Sequence, residues 1–224
     1  MKEYIPFLCK TALFKGISPS EMEGMLTCLT AKVSSYNNKE IVLMEGQSIN
    51  SVGMVLEGKV QVIKEDFTGK RTIMTEVGEG NLFAETFACV QTGSLPITVV
   101  SVIDCKVLWV NYRGILTTCP ALCGYHNKLI ENMMQILASK NILLSQKIEH
   151  IARRTTRDKI LAYLSDQARQ QGKTDFNIPF NRQELADYLC VDRSAMSNEL
   201  CKLRNQGMLD FNMNRFVLHQ VDDY

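Results

Sequence analysis

The segment Asn181-Arg-Gln-Glu-Leu-Ala-Asp-Tyr-Leu-Cys-Val-Asp-Arg-Ser-Ala-Met-Ser-Asn-Glu-Leu-Cys-Lys-Leu-Arg-Asn-Gln-Gly207 carries two short helical patterns joined by a tight turn. Asn181 caps the first helix, and Glu184, three residues on, completes a capping box. Leu185, Ala186 and Leu189 form the apolar face of that helix. The turn falls at Cys190-Val191-Asp192, and the small Ala186 lets the two helices approach closely. The second helix, Arg193 to Asn205, turns Met196, Leu200, Leu203 and, in part, Ala195 inward. Its other face shows Arg193, Ser194, Ser197, Asn198 and Lys202. A helix with short polar side chains and an arginine at its N-terminal end suits insertion into a DNA major groove. Arg193 fits a bidentate contact to guanine, and Asn198 fits adenine or a phosphate. Arg182 and Gln183 open the preceding helix, where backbone amides and a cation meet phosphate. The spacing also fits a plain helical hairpin with a solvated polar face, so the flanking sequence has to discriminate.

On the C-terminal side, Met208-Leu-Asp-Phe211 and Arg215-Phe-Val-Leu218 read as a two-stranded wing, which favours DNA reading. On the N-terminal side, Phe176 to Phe180 is a short extended piece broken by Pro179. Thr155 and Thr156, with Asp158 in the first turn, start a helix over Arg157 to Gln170, and Gln171-Gly172-Lys173-Thr174 ends it. Further upstream, Ala121 to Ala152 holds no proline and no glycine after Gly124. Leu129, Met133, Ile136, Leu137, Leu144, Ile148 and Ile151 recur there at three- and four-residue steps, and Ile130, Met134 and Leu143 widen the stripe. Such a helix runs about 45 Å at its usual rise. So wide an apolar surface calls for two partners, the preceding domain and the same helix of a second subunit. An ordinary core helix inside a monomer is the simpler alternative. Arg153, Arg154 and Arg157 at the junction add phosphate contacts or form a solvated hinge face.

Before Pro120 the pattern is that of strands. From Ser34 to Asn111 short β-rich runs are punctuated by Gly46, Gly53, Gly58, Gly69, Gly78 and Gly80. Val60 and Val62 follow a turn at Gly58, and Asp66-Phe-Thr-Gly69 signals a hairpin into Arg71 to Val77. Ile97 to Val102 and Lys106 to Val110 supply further strands. Turns at this density predict a small antiparallel roll or barrel. The chain is therefore read as α+β, with residues 1–120 as a β-roll, 121–152 as a long helix and 153–224 as a winged helix-turn-helix.

The 224 residues are 46% hydrophobic and 22% charged, enough for a buried core and too mixed for disorder. The net charge of +1 leaves room for a local basic face. No run of about 18 apolar residues occurs, so no spanning helix is expected. Met1 to Lys10 show no long apolar run behind a basic flank, so no export signal is expected, and a reducing cytoplasm should keep the thiols free. The eight cysteines include no C-x-x-C pair. Cys119-Pro-Ala-Leu-Cys123-Gly-Tyr-His126 is the one ligand-like constellation. Buried thiols beside a surface histidine are the favoured account of it, over metal or haem ligation, and no metal site is assigned. No nucleophile elbow, P-loop, H-E-x-x-H or dinucleotide fingerprint is present, and His126, His150 and His219 stand alone, so no catalytic residues and no enzyme are expected. A β-roll sensor whose helical tail makes only protein contacts remains the competing class.

A β-roll, a long helix and a winged helix-turn-helix in this order resemble the CRP/FNR family of bacterial transcription regulators, over nearly the whole chain. The most specific parts are Asn181 to Leu209 and Gly78-x-Gly80-Asn-Leu-Phe-Ala-Glu85. The resemblance implies a cyclic-nucleotide-binding-like roll that senses a small molecule or redox state. It also implies a homodimer through the long helix, and a palindromic duplex operator at which RNA polymerase is recruited or blocked. Arg193 matches the base-reading arginine, and Arg182 with Gln183 match the phosphate-contacting pair. Ser194 and Asn198 depart from the glutamate and second arginine of the cyclic-AMP binders, so a different operator is expected. The effector pocket maps to Phe83, Ala84, Glu85, Thr86, Leu95, Pro96, Leu144 and Ser145. Glu85 stands where a ribose hydroxyl is held, whereas Leu95-Pro96 replace the phosphate-clamping Arg-Ser and Leu144-Ser145 replace an adenine-contacting Thr-Ser. Desolvating a charged cyclic phosphate without such donors costs several kcal/mol, so cyclic AMP is not an expected effector and no cofactor is assigned. The early cysteines, Cys9 and Cys28, do not form the tight cluster that an iron–sulfur sensor needs.

Overall fold

The computed structural model describes residues 1–65, 71–90, 93–116 and 125–219. The chain divides into two compact units, Met1–Ala138 and Ser139–Tyr224.

The first unit opens with two short helices, α1 (Ile5–Leu8) and α2 (Pro19–Cys28). Ser18 and Glu21 cap α2 reciprocally, with Pro19 at the first helical position. The strands are β1 (Lys32–Tyr36), β2 (Ile41–Leu43), β3 (Ser51–Glu57), β4 (Lys59–Glu65), β5 (Arg71–Gly78), β6 (Leu82–Phe83), β7 (Thr98–Ser101) and β8 (Cys105–Asn111). Two more helices, α3 (Glu85–Val90) and α4 (Tyr112–Leu116), interrupt and follow them. The strands form two four-stranded sheets, ordered β1-β8-β3-β6 and β2-β7-β4-β5, with every pairing antiparallel. This is the expected roll. The hairpin turn expected at Asp66 to Gly69 lies outside the described residues.

One core joins the facing sides of the sheets through Val42, Val55, Val60, Val62, Val77, Phe83, Leu95, Val99 and Val107. A second core lies on the other side of β3 and β8, where Val52, Met54, Leu56, Leu108 and Val110 pack with α2 and with Leu129 and Met133. Strand β3 is thus covered on both faces, which is why Val52 to Leu56 reads as a continuous apolar run instead of an alternation. Gly53 belongs to this close packing: a Cβ there would lie 2.3 Å from the Phe83 ring. Gly58, at φ +82°, makes the turn from β3 to β4.

The long helix α5 spans Tyr125–Ala152. The division between units falls inside it, so each unit contains part of α5. In the first unit, buried Asn132 donates through Nδ2 to the carbonyls of Leu13 and Lys15, both at 2.8 Å.

The second unit adds α6 (Thr156–Gln171), β9 (Asp175–Asn177), α7 (Arg182–Leu189), α8 (Arg193–Asn205), β10 (Leu209–Asn212) and β11 (Arg215–Leu218). Thr155 caps α6 by accepting from the Asp158 amide, and Gly172 ends it in the left-handed conformation at φ +61°. The three strands pair antiparallel in the order β10-β11-β9. Ile160, Leu164, Leu185, Leu189, Met196, Leu200, Leu203, Leu209 and Phe216 form its core.

Candidate nucleic-acid interface

Helix α7 begins as expected. Asn181 Oδ1 accepts from the amides of Gln183 (2.9 Å) and Glu184 (3.0 Å), while Glu184 Oε2 accepts from the Asn181 amide at 2.7 Å. Leu185, Ala186 and Leu189 are buried beneath it. The turn is made by Cys190 at φ +52°, a left-handed conformation that costs a side-chain-bearing residue about 1–2 kcal/mol. The Val191 amide then bonds the Ala186 carbonyl at 3.0 Å, which closes the angle between α7 and α8.

Asp192 caps α8. Its Oδ1 accepts from the amides of Ser194 (2.8 Å) and Ala195 (3.0 Å) and from the Ser194 hydroxyl. These bonds stabilise the carboxylate and hold its pKa below the usual range. Met196, Leu200 and Leu203 are buried as expected, whereas Ala195 is exposed and contributes nothing to the core. The reason is angular: Ala195 precedes Met196 by one residue, about 100° around the helix.

On the outer face Arg193, Ser194, Asn198 and Lys202 are exposed and Ser197 is half-buried. Their availability differs. The Ser194 hydroxyl is engaged by Asp192, and the Ser197 hydroxyl donates to the Arg193 carbonyl at 2.9 Å. Lys202 Nζ lies 3.2 Å from Glu199, which also faces Arg157 at 3.6 Å. Gln183 donates through Nε2 to Asp187 at 2.9 Å. Among the described residues, Arg193 and Asn198 have no side-chain hydrogen bond or ion pair.

Arg182 is placed differently from a free phosphate ligand. Its guanidinium lies 4.7 Å from the centre of the Phe211 ring and 5.0 Å from that of Phe216, and burial lowers its pKa. Arg204 lies 5.0 Å from the same Phe211 ring. Arg182 thus fastens the start of α7 to the wing by cation–π contact. The wing is tied to β9 by a two-toothed pairing of the Arg215 guanidinium with Asp175. Neither the Asp192 cap nor the Arg182 stack was anticipated. An aspartate directly before a helical run is a readable cap signal. The stack depends on a wing brought back by tertiary folding.

The residues mapped to an effector pocket fall in two places. In the first unit Phe83, Ala84, Glu85 and Leu95 are buried, and Thr86 and Pro96 are exposed. The Phe83 ring meets Trp109 edge-on at 5.4 Å. Leu95 uses both backbone groups internally: its amide donates to Gln47 and its carbonyl accepts from Gly46, each at 2.8 Å. Pro96 has no amide hydrogen to offer. Leu144 and Ser145 are exposed on α5 in the second unit.

His126 corrects one expectation: it is buried at 2% exposure, not on the surface, and among the described residues its Nδ1 has no hydrogen-bond partner. Cys119 and Cys123 lie outside the described residues. Among the described residues no group of three or more His, Cys, Asp and Glu is placed to hold a metal ion, and no helix is long and apolar enough to cross a membrane.

Comparison with known proteins agrees with this division of labour. Residues 33–119 match the cyclic nucleotide-binding domain family, and residues 158–223 match the Crp-like helix-turn-helix domain family. Together the two matches cover more than half of the chain. No curated protein matches the sequence. Among solved structures, CprK complexed with OCPA superposes with a TM-score of 0.70 at 15% identity, over 89% of this chain and 91% of that one. A double mutant of CooA from Carboxydothermus hydrogenoformans gives 0.59 at 19% identity, over 88% and 87%. The c-di-GMP responsive global regulator CLP of Xanthomonas campestris gives 0.59 at 17% identity, over 89% and 100%. These likenesses are of fold. With both family domains present in the characteristic order, the chain belongs to the CRP/FNR family of DNA-binding transcription regulators.

Proposed function

We propose that this regulator acts as a homodimer that sets its two α8 helices into successive major grooves of a palindromic operator. The carrying observation is that Arg193 and Asn198 stand exposed and unengaged on a helix whose start is capped and whose inner face is buried. Arg193 presents its fork to guanine O6 and N7, and Asn198 reads adenine or holds a phosphate. Gln183 and the positive end of the α7 dipole meet the DNA backbone, the Gln183 and Glu184 amides being held by Asn181. Ser194, Ser197 and Lys202 shape the contact face, their polar groups being already engaged. Half-sites about 34 Å apart follow from the dimer. The protein works in the cytoplasm, engages RNA polymerase from its operator, and has no catalytic role.

Cyclic AMP is not its effector. Neither Leu95 nor Pro96 offers a cyclic phosphate a free amide hydrogen or a cationic side chain, because Leu95 spends its amide on Gln47 and Pro96 has none. The test is selection of the full-length protein against a random duplex DNA pool, with and without cyclic AMP. A palindromic site recovered equally in both supports both parts of the reading. A site recovered only with cyclic AMP overturns the part argued from Leu95 and Pro96.

A further inference from the structure

Asn141 interrupts an otherwise apolar seam on α5. From Met134 the steps of three and four run through Leu137, Asn141, Leu144, Ile148 and Ile151, alternating positions a and d of a heptad. Met134, Leu144 and Ile148 are 64%, 61% and 62% exposed. Asn141 is exposed as well, and Leu137 and Ile151 are half-buried. Ile142 and Leu143 are also exposed but fall outside this seam. An apolar seam of this period is completed by a second helix of the same period, and the chain itself supplies one when two copies meet.

The flanking positions restrict how two copies choose their alignment. Ala138, Ser145 and Ala152 occupy e, and Lys140 and Lys147 occupy g. From Met134 to Ile151 neither position holds an acid, so charge pairing across that stretch cannot select a register, and Glu131, at e one heptad earlier, is paired with Lys128 of its own helix at 2.9 Å. Asn141 can. In a parallel, in-register pair it faces its own copy, and each amide has a donor and an acceptor for the other. A slip of one heptad sets Asn141 against Met134 or Ile148. An antiparallel pair sets position a against d, where leucine and isoleucine stand. Either leaves a buried amide without a partner, which is costly. Asn127 holds position a two heptads earlier, in the first turn of α5, and the same in-register pairing matches it too. A slip of two heptads pairs one asparagine of each copy and strands the other.

We propose, resting on the dimer reading above, that Asn141 pairs with its counterpart in a second copy and fixes a parallel, in-register, two-stranded seam. The asparagine weakens the seam relative to leucine and makes it unique. The test uses the full-length protein and Asn141→Leu. Sedimentation measures the dissociation constant, and a benzoylphenylalanine photo-cross-linker in place of Ser145 reports which turn of the second copy lies opposite. With Asn141 retained, the protein should cross-link only to the turn around residues 140–145 of the other copy. Asn141→Leu should associate about tenfold more tightly and cross-link to shifted or reversed turns as well. An unchanged or weaker association overturns the placement of Asn141 in the seam, and tighter association with an unchanged single register overturns its register-setting role. A wild type that sediments as a monomer throughout refutes the dimer itself, and so separates the two failures.

Discussion

Arg193 and Arg182 each occupy the first position of a helix, yet they do different work. Arg193 is exposed and unengaged, so Arg193→Ala should leave thermal stability unchanged and weaken operator binding by about 1–3 kcal/mol, with discrimination lost at one base pair. Arg193→Lys should fail to restore that discrimination, since an ammonium cannot reproduce the fork. Arg182→Ala should instead destabilise the second unit by about 1–2 kcal/mol through its lost ring contacts, measured by urea denaturation with tryptophan-independent circular dichroism. Asp192 gives a pH test. Its pKa is depressed in the folded state, so its contribution is present above the ordinary carboxylate range and fades as pH falls through the depressed value. The protection of the Ser194 and Ala195 amides, their exchange relative to the intrinsic rate at each pH, should therefore fall as pH drops through the depressed carboxylate value, and Asp192→Asn should remove that dependence while keeping an acceptor for the cap. What was legible here was local. The Asn181 box and the bounds of α8 depend on neighbours in sequence, and these stand as read, the Asp192 cap apart. The ring partners of Arg182 come from strands that only the closed fold brings near.

At the scale of elements, the second unit holds an end of α5 by polar contacts that spacing did not reveal. His150, in the last turn of α5, is 3% exposed; its Nε2 lies 2.8 Å from Asp166 of α6 and its Nδ1 3.1 Å from the Tyr188 hydroxyl of α7. A carboxylate only accepts, so Nε2 carries the proton, and in the neutral ring Nδ1 accepts from the phenol. Burial raises the Tyr188 and Tyr163 pKa values, which keeps both phenols protonated. His150→Ala should cost about 2–3 kcal/mol through a lost buried hydrogen-bond pair and a cavity. Tyr188→Phe should cost about 1 kcal/mol. Hydrogen exchange should show the loosening in α6, α7 and the end of α5, with the roll unaffected; equal loosening throughout the chain would contradict this assignment. In sequence His150 stood alone, because its partners lie on two later helices. The strands were easier to read, since the turn glycines and β-branched runs that mark them are contiguous. Which of them were covered on both faces was not, because that depends on where α2 and α5 pack.

For the whole molecule, operator affinity should be inseparable from self-association. On the proposed reading one winged unit presents one Arg193 helix, and its contacts reach one half-site. Joining two units converts the second half-site contact into an intramolecular event, worth on the order of 100- to 10,000-fold when the geometry fits. The exposed residues Leu144 and Ile148 of α5 are where that joining is most easily broken without touching either core. A carboxylate at position 144 would have to be desolvated against its own copy, and two like charges facing across a seam repel. Leu144→Glu should therefore sediment as a monomer with both units folded, since residue 144 is exposed within one chain and belongs to neither buried core. Its affinity for the selected palindrome should fall by at least about 100-fold, while its weak, salt-sensitive binding to random duplex DNA persists through the unaltered faces of α7 and α8. The decisive comparison is mass against affinity in one titration: a variant that remains dimeric, or one that is monomeric yet binds the palindrome as tightly as the wild type, would show that α5 is not what couples the two reading heads.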